Sequence, residues 1–273
     1  TLFAGRLGND LLMLIAAVML AATIPLIFWL RRLKVTELRN EDVRAGADEL
    51  RIGGNPLAGF RAFFTDRRLL AIGAFILLYT MINTFVYFEQ KNLLEVYDRE
   101  TRTRILGGID WATNILTFGL AFFATSRIVH WLGLGFTLAL IPLLTAAGLL
   151  VLAFAPVVAV LAVLQAGRRA GGYAVTRPAR EMLFTVVGRE ARFKAKPVID
   201  VVVYRGGDSV TAWLFTALSQ GLGLGLAALA LAGAAVAGVW AALGFYLGHW
   251  FDSFRDTASA APGSGAEAAR SSS

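Results

Sequence analysis

Apolar residues run along this chain in long blocks, and polar residues interrupt some blocks but not others. Seven blocks approach the roughly 20 residues that a helix needs to cross a ~30 Å hydrocarbon core. They are Leu11–Leu30, Leu69–Phe88, Gly108–Ser126, Trp131–Phe154, Val157–Val175, Val198–Leu218 and Leu222–Tyr246. The first, fourth and seventh contain no charged residue. The third carries Asp110, the fifth Arg168 and Arg169, and the sixth Asp200, Arg205 and Asp208. The second carries Tyr79, Asn83 and Thr84. Charge at bilayer depth is expensive and is usually kept for a pathway. The pattern therefore predicts an all-α integral membrane protein with seven transmembrane helices, in which every third span is a plain wall and the others enclose something polar.

The polar stretch 31–68, after the first span, is much longer than any other connection. Within it Thr36–Arg51 is charged on most sides. Pro56–Phe64 instead spaces Leu57, Phe60 and Phe64 by three and four residues, the pattern of a helix lying on a membrane surface. The organisation read from this is a first unit 1–30 ending in one span, a linker 31–68, a six-helix bundle 69–251, and a small polar tail 252–273 expected to be disordered. One span, a long linker and six spans resemble the second half of a twelve-span transporter of the major facilitator type, with the last helix of the first half attached. That architecture sends every third helix outward, and these are the three charge-free spans. A seven-helix retinal protein would need a lysine in its last span, and Leu222–Tyr246 has none.

Composition narrows the classes. The chain has 273 residues, 57% of them hydrophobic, with a mean hydropathy of +0.63, which excludes an ordinary soluble domain or enzyme. No cysteine is present, so thiol chemistry is absent. His130 and His249 each stand beside a tryptophan at a span end and read as interfacial residues; no metal-ligand spacing, nucleophile–base pair or cofactor motif occurs. Gly221, Gly223 and Gly225 superficially match a dinucleotide fingerprint, but they sit at the mouth of an apolar span and read as helix packing. The net charge of +7 is topological and does not point to nucleic acid. With the linker cytoplasmic, inner segments hold the basic clusters from Arg31 to Arg68 and from Arg177 to Lys196, and outer segments hold only Arg6, Lys91, Arg99, Arg102 and Arg104. The C-terminus is then cytoplasmic and the bacterial inner membrane the expected location. The start at Thr1 shows no signal peptide, and an upstream portion, the N-terminal half of the same polypeptide, is expected as a partner.

Four polar stripes carry the chemistry. Arg168 and Arg169 fall roughly 17 Å into the fifth span, with Arg205 and Asp208 about 10 and 15 Å into the sixth. Gln165, Arg168, Arg169, Gly172 and Thr176 share a helical face, as do Tyr79, Asn83 and Tyr87, and also Asp110, Asn114 and Thr117. Guanidinium groups bind phosphate or carboxylate with paired hydrogen bonds and stack on aromatic rings. The expected substrate is therefore a small organic anion clamped by Arg168, Arg169 and Arg205, with Asp208, Asn83 and Asn114 in the same site and Tyr79 or Tyr204 as a wall. The competing reading pairs Arg205 with Asp208, and Arg168 or Arg169 with Asp208 or Asp110, as fixed structural contacts. The inner basic run interleaves acid and base, so Arg177, Arg180, Glu181, Lys194, Lys196 and Asp200 read as a gate at the inner mouth, set against simple contact with anionic lipid.

The segment TRPAREMLFTVVGREARFKAKPVIDVVVYRGGD, Thr176–Asp208, resembles the signature region of the ATP/ADP antiporter family of nucleotide exchangers. The residues that carry it are Arg177, Ala179-Arg180-Glu181, Leu183-Phe184, Arg189-Glu190, Lys194-Ala195-Lys196, Asp200, Tyr204-Arg205 and Asp208. Weaker similarity runs through Asp110, Asn114, Arg127 and Gly133-Leu134-Gly135, and the whole covers about Asn55–Phe251. The resemblance implies a nucleotide-like substrate, exchanged by alternating access in a facilitator-like fold. A lipid-handling protein or flippase, and a non-transporting membrane scaffold or sensor, are the rival expectations.

Overall fold

The computed structural model describes the backbone of residues 4–36, 58–123, 125–187 and 189–260, and among these there is no strand. The chain divides into two compact units, Thr1–Pro56 and Leu57–Ser273. In the first, helix α1 (Ala4–Thr36) contains the apolar window Met13–Leu30. Linker residues 37–57, including most of the expected Thr36–Arg51 piece, and the last part of the tail, 261–273, lie outside the described residues.

The second unit opens with α2 (Ala58–Thr65) and α3 (Arg67–Leu94). Asp66 separates them, and its side chain accepts a hydrogen bond from the Arg68 backbone N–H at 2.8 Å, which satisfies one of the free donors at the start of α3. On α2 Phe60 and Phe64 remain exposed, as an interfacial face requires, while Phe63 turns into the core beside Gly73. The stretch after Phe88 is helical rather than loop. α3 continues to Leu94, and α4 (Arg99–Phe123) starts well before Gly108. Asp98 explains the early start: its carboxylate accepts from the backbone N–H groups of Glu100 and Thr101 at 2.9 and 3.1 Å. These bonds and the Thr101 hydroxyl hold the exposed Asp98 carboxyl below its usual range.

Helix α5 (Thr125–Phe154) is broken at Gly133, whose φ of 73° lies in the left-handed region that only glycine enters readily. α10 (Leu226–Ala260) packs along α5 at a crossing made of glycine. Gly248 lies directly against Gly135, and a Cβ on Gly244 would stand 3.1 Å from the Leu138–Ala139 backbone. Between apolar helices close packing, rather than water exclusion, drives association, so small residues at the crossing set the distance. α10 also packs on α3, where the fully buried Trp240 meets Phe75 and Tyr79 with ring centroids 5.5 and 5.7 Å apart. The first part of the tail expected to be disordered, Asp252–Ala260, is helical, because α10 continues to Ala260. Arg68 lies over both Trp250 and Phe254 and ties that last stretch to α3.

Between α5 and α10 the helices are interrupted by wide π turns. α6 (Val158–Gly171) passes into a π turn at Gly172–Thr176 and then α7 (Arg177–Leu183). α8 (Arg189–Pro197) passes into a π turn at Val198–Val203 and then α9 (Tyr204–Thr216), which ends in a third at Ala217–Gly221. Prolines flank the first two turns. Pro178, lacking an N–H, cannot bond the carbonyl four residues back, and widening the preceding turn removes that clash. Among the described residues five helices are long and apolar enough to cross a membrane, in the windows Met13–Leu30, Arg67–Leu94, Arg99–Phe123, Trp131–Phe154 and Leu226–Phe254. The two other expected spans are helical throughout 158–183 and 189–221, but their α-helical runs are only 14 and 13 residues long. An all-α chain with these apolar helices is associated with a membrane.

Candidate functional site

A cavity of about 400 Å³ lies between α3, α6, α7 and α9. No residue of α5 or α10 lines it, so neither helix that carries a charge-free span of this unit contributes to the polar site. Six of the expected substrate-binding residues meet there, Tyr79, Asn83, Arg168, Arg169, Tyr204 and Asp208, together with the expected gate residue Arg177. A second cavity of about 330 Å³ shares Tyr79, Arg177 and Tyr204 with the first and adds Arg180, Asp200 and Arg205. The two form a path lined by aromatic rings and guanidinium groups. The Tyr79 and Tyr204 rings stand 6.3 Å apart, and Arg177 lies over Tyr173 at 4.4 Å.

The arginines differ in how their charge is met. Arg169 donates to Asp110 on α4 at 2.5 Å and is neutralised by it. Arg205 is exposed along the second cavity and makes no ion pair with Asp208, whose carboxylate accepts instead from the Thr84 hydroxyl at 3.3 Å. Arg168 is the unusual one. It is buried, donates to Asn83 and, at 2.6 Å, to Gln165, and pairs with no carboxylate among the described residues. Its Nε is buried without any partner. A guanidinium held only by neutral amides keeps its full charge in a place where charge is costly. The amides do fix its orientation, because Gln165 in turn donates to Gln90.

Periodicity found Tyr79, Asn83, Gln165 and the two arginines, but not Gln90 or Tyr173. Gln90 was detectable, lying seven residues beyond Asn83 on the same face of α3. Asn114 lines neither polar cavity; it is exposed on α4, which reaches the site only through Asp110.

Toward the basic end, Glu181 links α7 to α8. Lys196 donates to one carboxylate oxygen at 2.6 Å and Arg180 to the other at 3.0 Å, and Arg180 also lies 3.7 Å from Asp200. Burial pushes the Glu181 carboxyl up, but the bonds from Lys196 and Arg180 outweigh it and hold the group below the usual carboxylate range. Lys194 is half-buried on α8. Among the described residues no group of histidine, aspartate and glutamate could hold a metal ion. Comparison with models of known families, with curated proteins and with solved structures found no match to this chain.

Proposed function

We propose that the chain belongs to a secondary transporter that binds an organic anion between α3, α6 and α9 and moves it by alternating access. The observation that carries this reading is Arg168, a buried cation with an unmet N–H and no carboxylate, beside two tyrosines and Arg177 in a cavity of about 400 Å³. Such a site is completed by an anion. The same reading takes Val157–Val175 and Val198–Leu218 as two further crossings, giving seven, with the six after the linker forming the second half of a facilitator-type bundle. The first half of the same polypeptide supplies the other wall. The Glu181–Lys196 and Arg180–Asp200 contacts close the cytoplasmic mouth in one state and part in the other. A nucleotide is the substrate favoured by the resemblance of Thr176–Asp208. The bacterial inner membrane, with the C-terminus cytoplasmic, is the location that follows from the distribution of basic residues.

Counterflow of labelled ATP and ADP in liposomes tests this directly. Arg168→Lys keeps the charge but loses the fork that holds Asn83 and Gln165 together, and it is expected to cut exchange at least tenfold, about 1.4 kcal/mol. Exchange by this variant at the wild-type rate and affinity removes the clamp. One observation favours a second reading, lipid handling. An apolar groove of about 480 Å³ runs between α5 and α6 past Leu144, Val151 and Val163, all exposed, and reaches Arg168 from the other side. Scrambling of a labelled phospholipid without any ATP exchange would select that reading.

A further inference from the structure

Among the described residues Glu89 is the buried acidic side chain, and the contacts above leave it out. It lies on α3 beside Gln90, is 2% exposed, and its Oε1 has neither solvent nor a hydrogen-bond partner. No described residue forms an ion pair with it. One turn earlier on α3, Phe85 packs against Phe215 of α9 and Leu229 of α10, so the surroundings are apolar. An ionised carboxylate there loses its hydration and gains neither a hydrogen bond at Oε1 nor a contact ion pair, a penalty that binding a proton would remove.

Glu89 is nevertheless connected to the anion cavity. Its neighbour Gln90 accepts from Gln165, which accepts from Arg168, which reaches back to Asn83, six residues or about 9 Å along α3. Around this end of α3 the nearest titratable groups on packed helices are Arg168 and Arg169 of α6 and Asp208 of α9, the last bonded to Thr84 five residues away. Tyr204 and Arg205 of α9 lie further along α3, where Tyr79 meets Tyr204. Arg61 of α2, Asp200 of the second π turn, and Tyr246, His249 and Asp252 of α10 belong to the opposite end, where Arg68 meets Trp250. Tyr87 and Lys91 flank Glu89 on its own helix and are exposed. The nearest buried charge is therefore the unpaired guanidinium of Arg168.

We propose that Glu89 is a proton-binding site coupled to anion binding at Arg168, so that a proton taken from water on one side travels with the anion and is released to water on the other. An ionised Glu89 lowers the positive potential at Arg168 and weakens its hold on an anion, and protonation restores it. By reciprocity a bound anion strengthens the hold of Glu89 on its proton. At roughly 10 Å and an effective dielectric of about 20, the coupling is about tenfold. The coupling rests on the anion-site reading given above, whereas the proton on Glu89 does not.

Two measurements on the full chain separate the parts. Infrared spectra at neutral pH should show a protonated carboxyl band that disappears at higher pH and is missing from Glu89→Gln, the isosteric neutral side chain. Absence of that band from the wild type overturns the proton site. Equilibrium binding of labelled ATP should weaken about tenfold as the band disappears, beyond the slope that Glu89→Gln keeps from titration of the terminal phosphate. An unchanged pH slope in Glu89→Gln overturns the coupling. Failure of ATP to bind at any pH counts against both the nucleotide site and the coupling, and the infrared band then decides the proton site alone. If Glu89→Gln does not fold, Glu89→Asp replaces it: a shifted band with a shifted binding slope supports the proposal, and a shifted band with an unshifted slope overturns it.

Discussion

At the scale of single residues, the distinction that matters is whether a charge has been met. Arg169 has Asp110, and each member of that pair is needed by the other. Arg169→Gln should destabilise the protein by leaving a lone carboxylate on α4, and the double change Arg169→Gln with Asp110→Asn should recover most of the loss. Thermal unfolding in detergent measures both, and no recovery would mean the pair contributes nothing. Glu181 makes a prediction with a definite sign. Its carboxyl is held below the ordinary range in the folded state, so its contribution is present above the unfolded value and is lost as pH falls through the folded one. The wild type should lose stability relative to Glu181→Gln between about pH 5 and 3, and parallel curves would show that the Lys196 and Arg180 bonds carry no weight. Residue types alone singled out the arginines, and the structure brings Arg168 and Arg169 to one cavity and Arg205 to the next. Residue types did not reveal which arginine lacks a partner, because pairing depends on where α3 and α4 stand around α6.

Among the elements, the long apolar blocks were legible because twenty apolar residues in a row have few other uses. Boundaries were less legible. Asp98 and Arg68 extend helices beyond the apolar stretch through a cap and a cation–ring contact, and neither depends on hydrophobicity. The π turns were hidden altogether: past Thr176 a 3.6-residue period loses phase, so the face traced from Arg168 cannot be carried into α7. The α5–α10 crossing gives the sharpest test at this scale. Gly248→Leu forces a side chain into the backbone of Gly135 and should cost about 1–3 kcal/mol, while Gly108→Ala in open space on α4 should stay within about 0.5 kcal/mol. Equal losses in a detergent unfolding assay would remove the crossing as the fixed point of the bundle.

For the whole molecule, absence of cysteine gives a clean background for probing which surfaces reach water. Tyr87 lines only the first cavity and Asp200 only the second, with Tyr79 and Tyr204 common to both. If access alternates, Tyr87→Cys and Asp200→Cys should respond to saturating ATP with opposite changes in their rates of labelling by a membrane-impermeant maleimide. Changes of the same sign would describe a pore or a static cleft.

The π turn at Gly172–Thr176 has one consequence of its own. A π turn holds one residue more than an α turn of the same rise, and one residue on a helix is worth about 100° of rotation. Everything beyond the turn is swivelled by that surplus, and Arg177 and Arg180 owe their direction to it. Deleting Val175 would leave charge, apolar content and nearly all of the length unaltered, yet spin both guanidinium groups out of the channel they now line. In this chain a count of residues, as much as their kind, aims the cationic side chains.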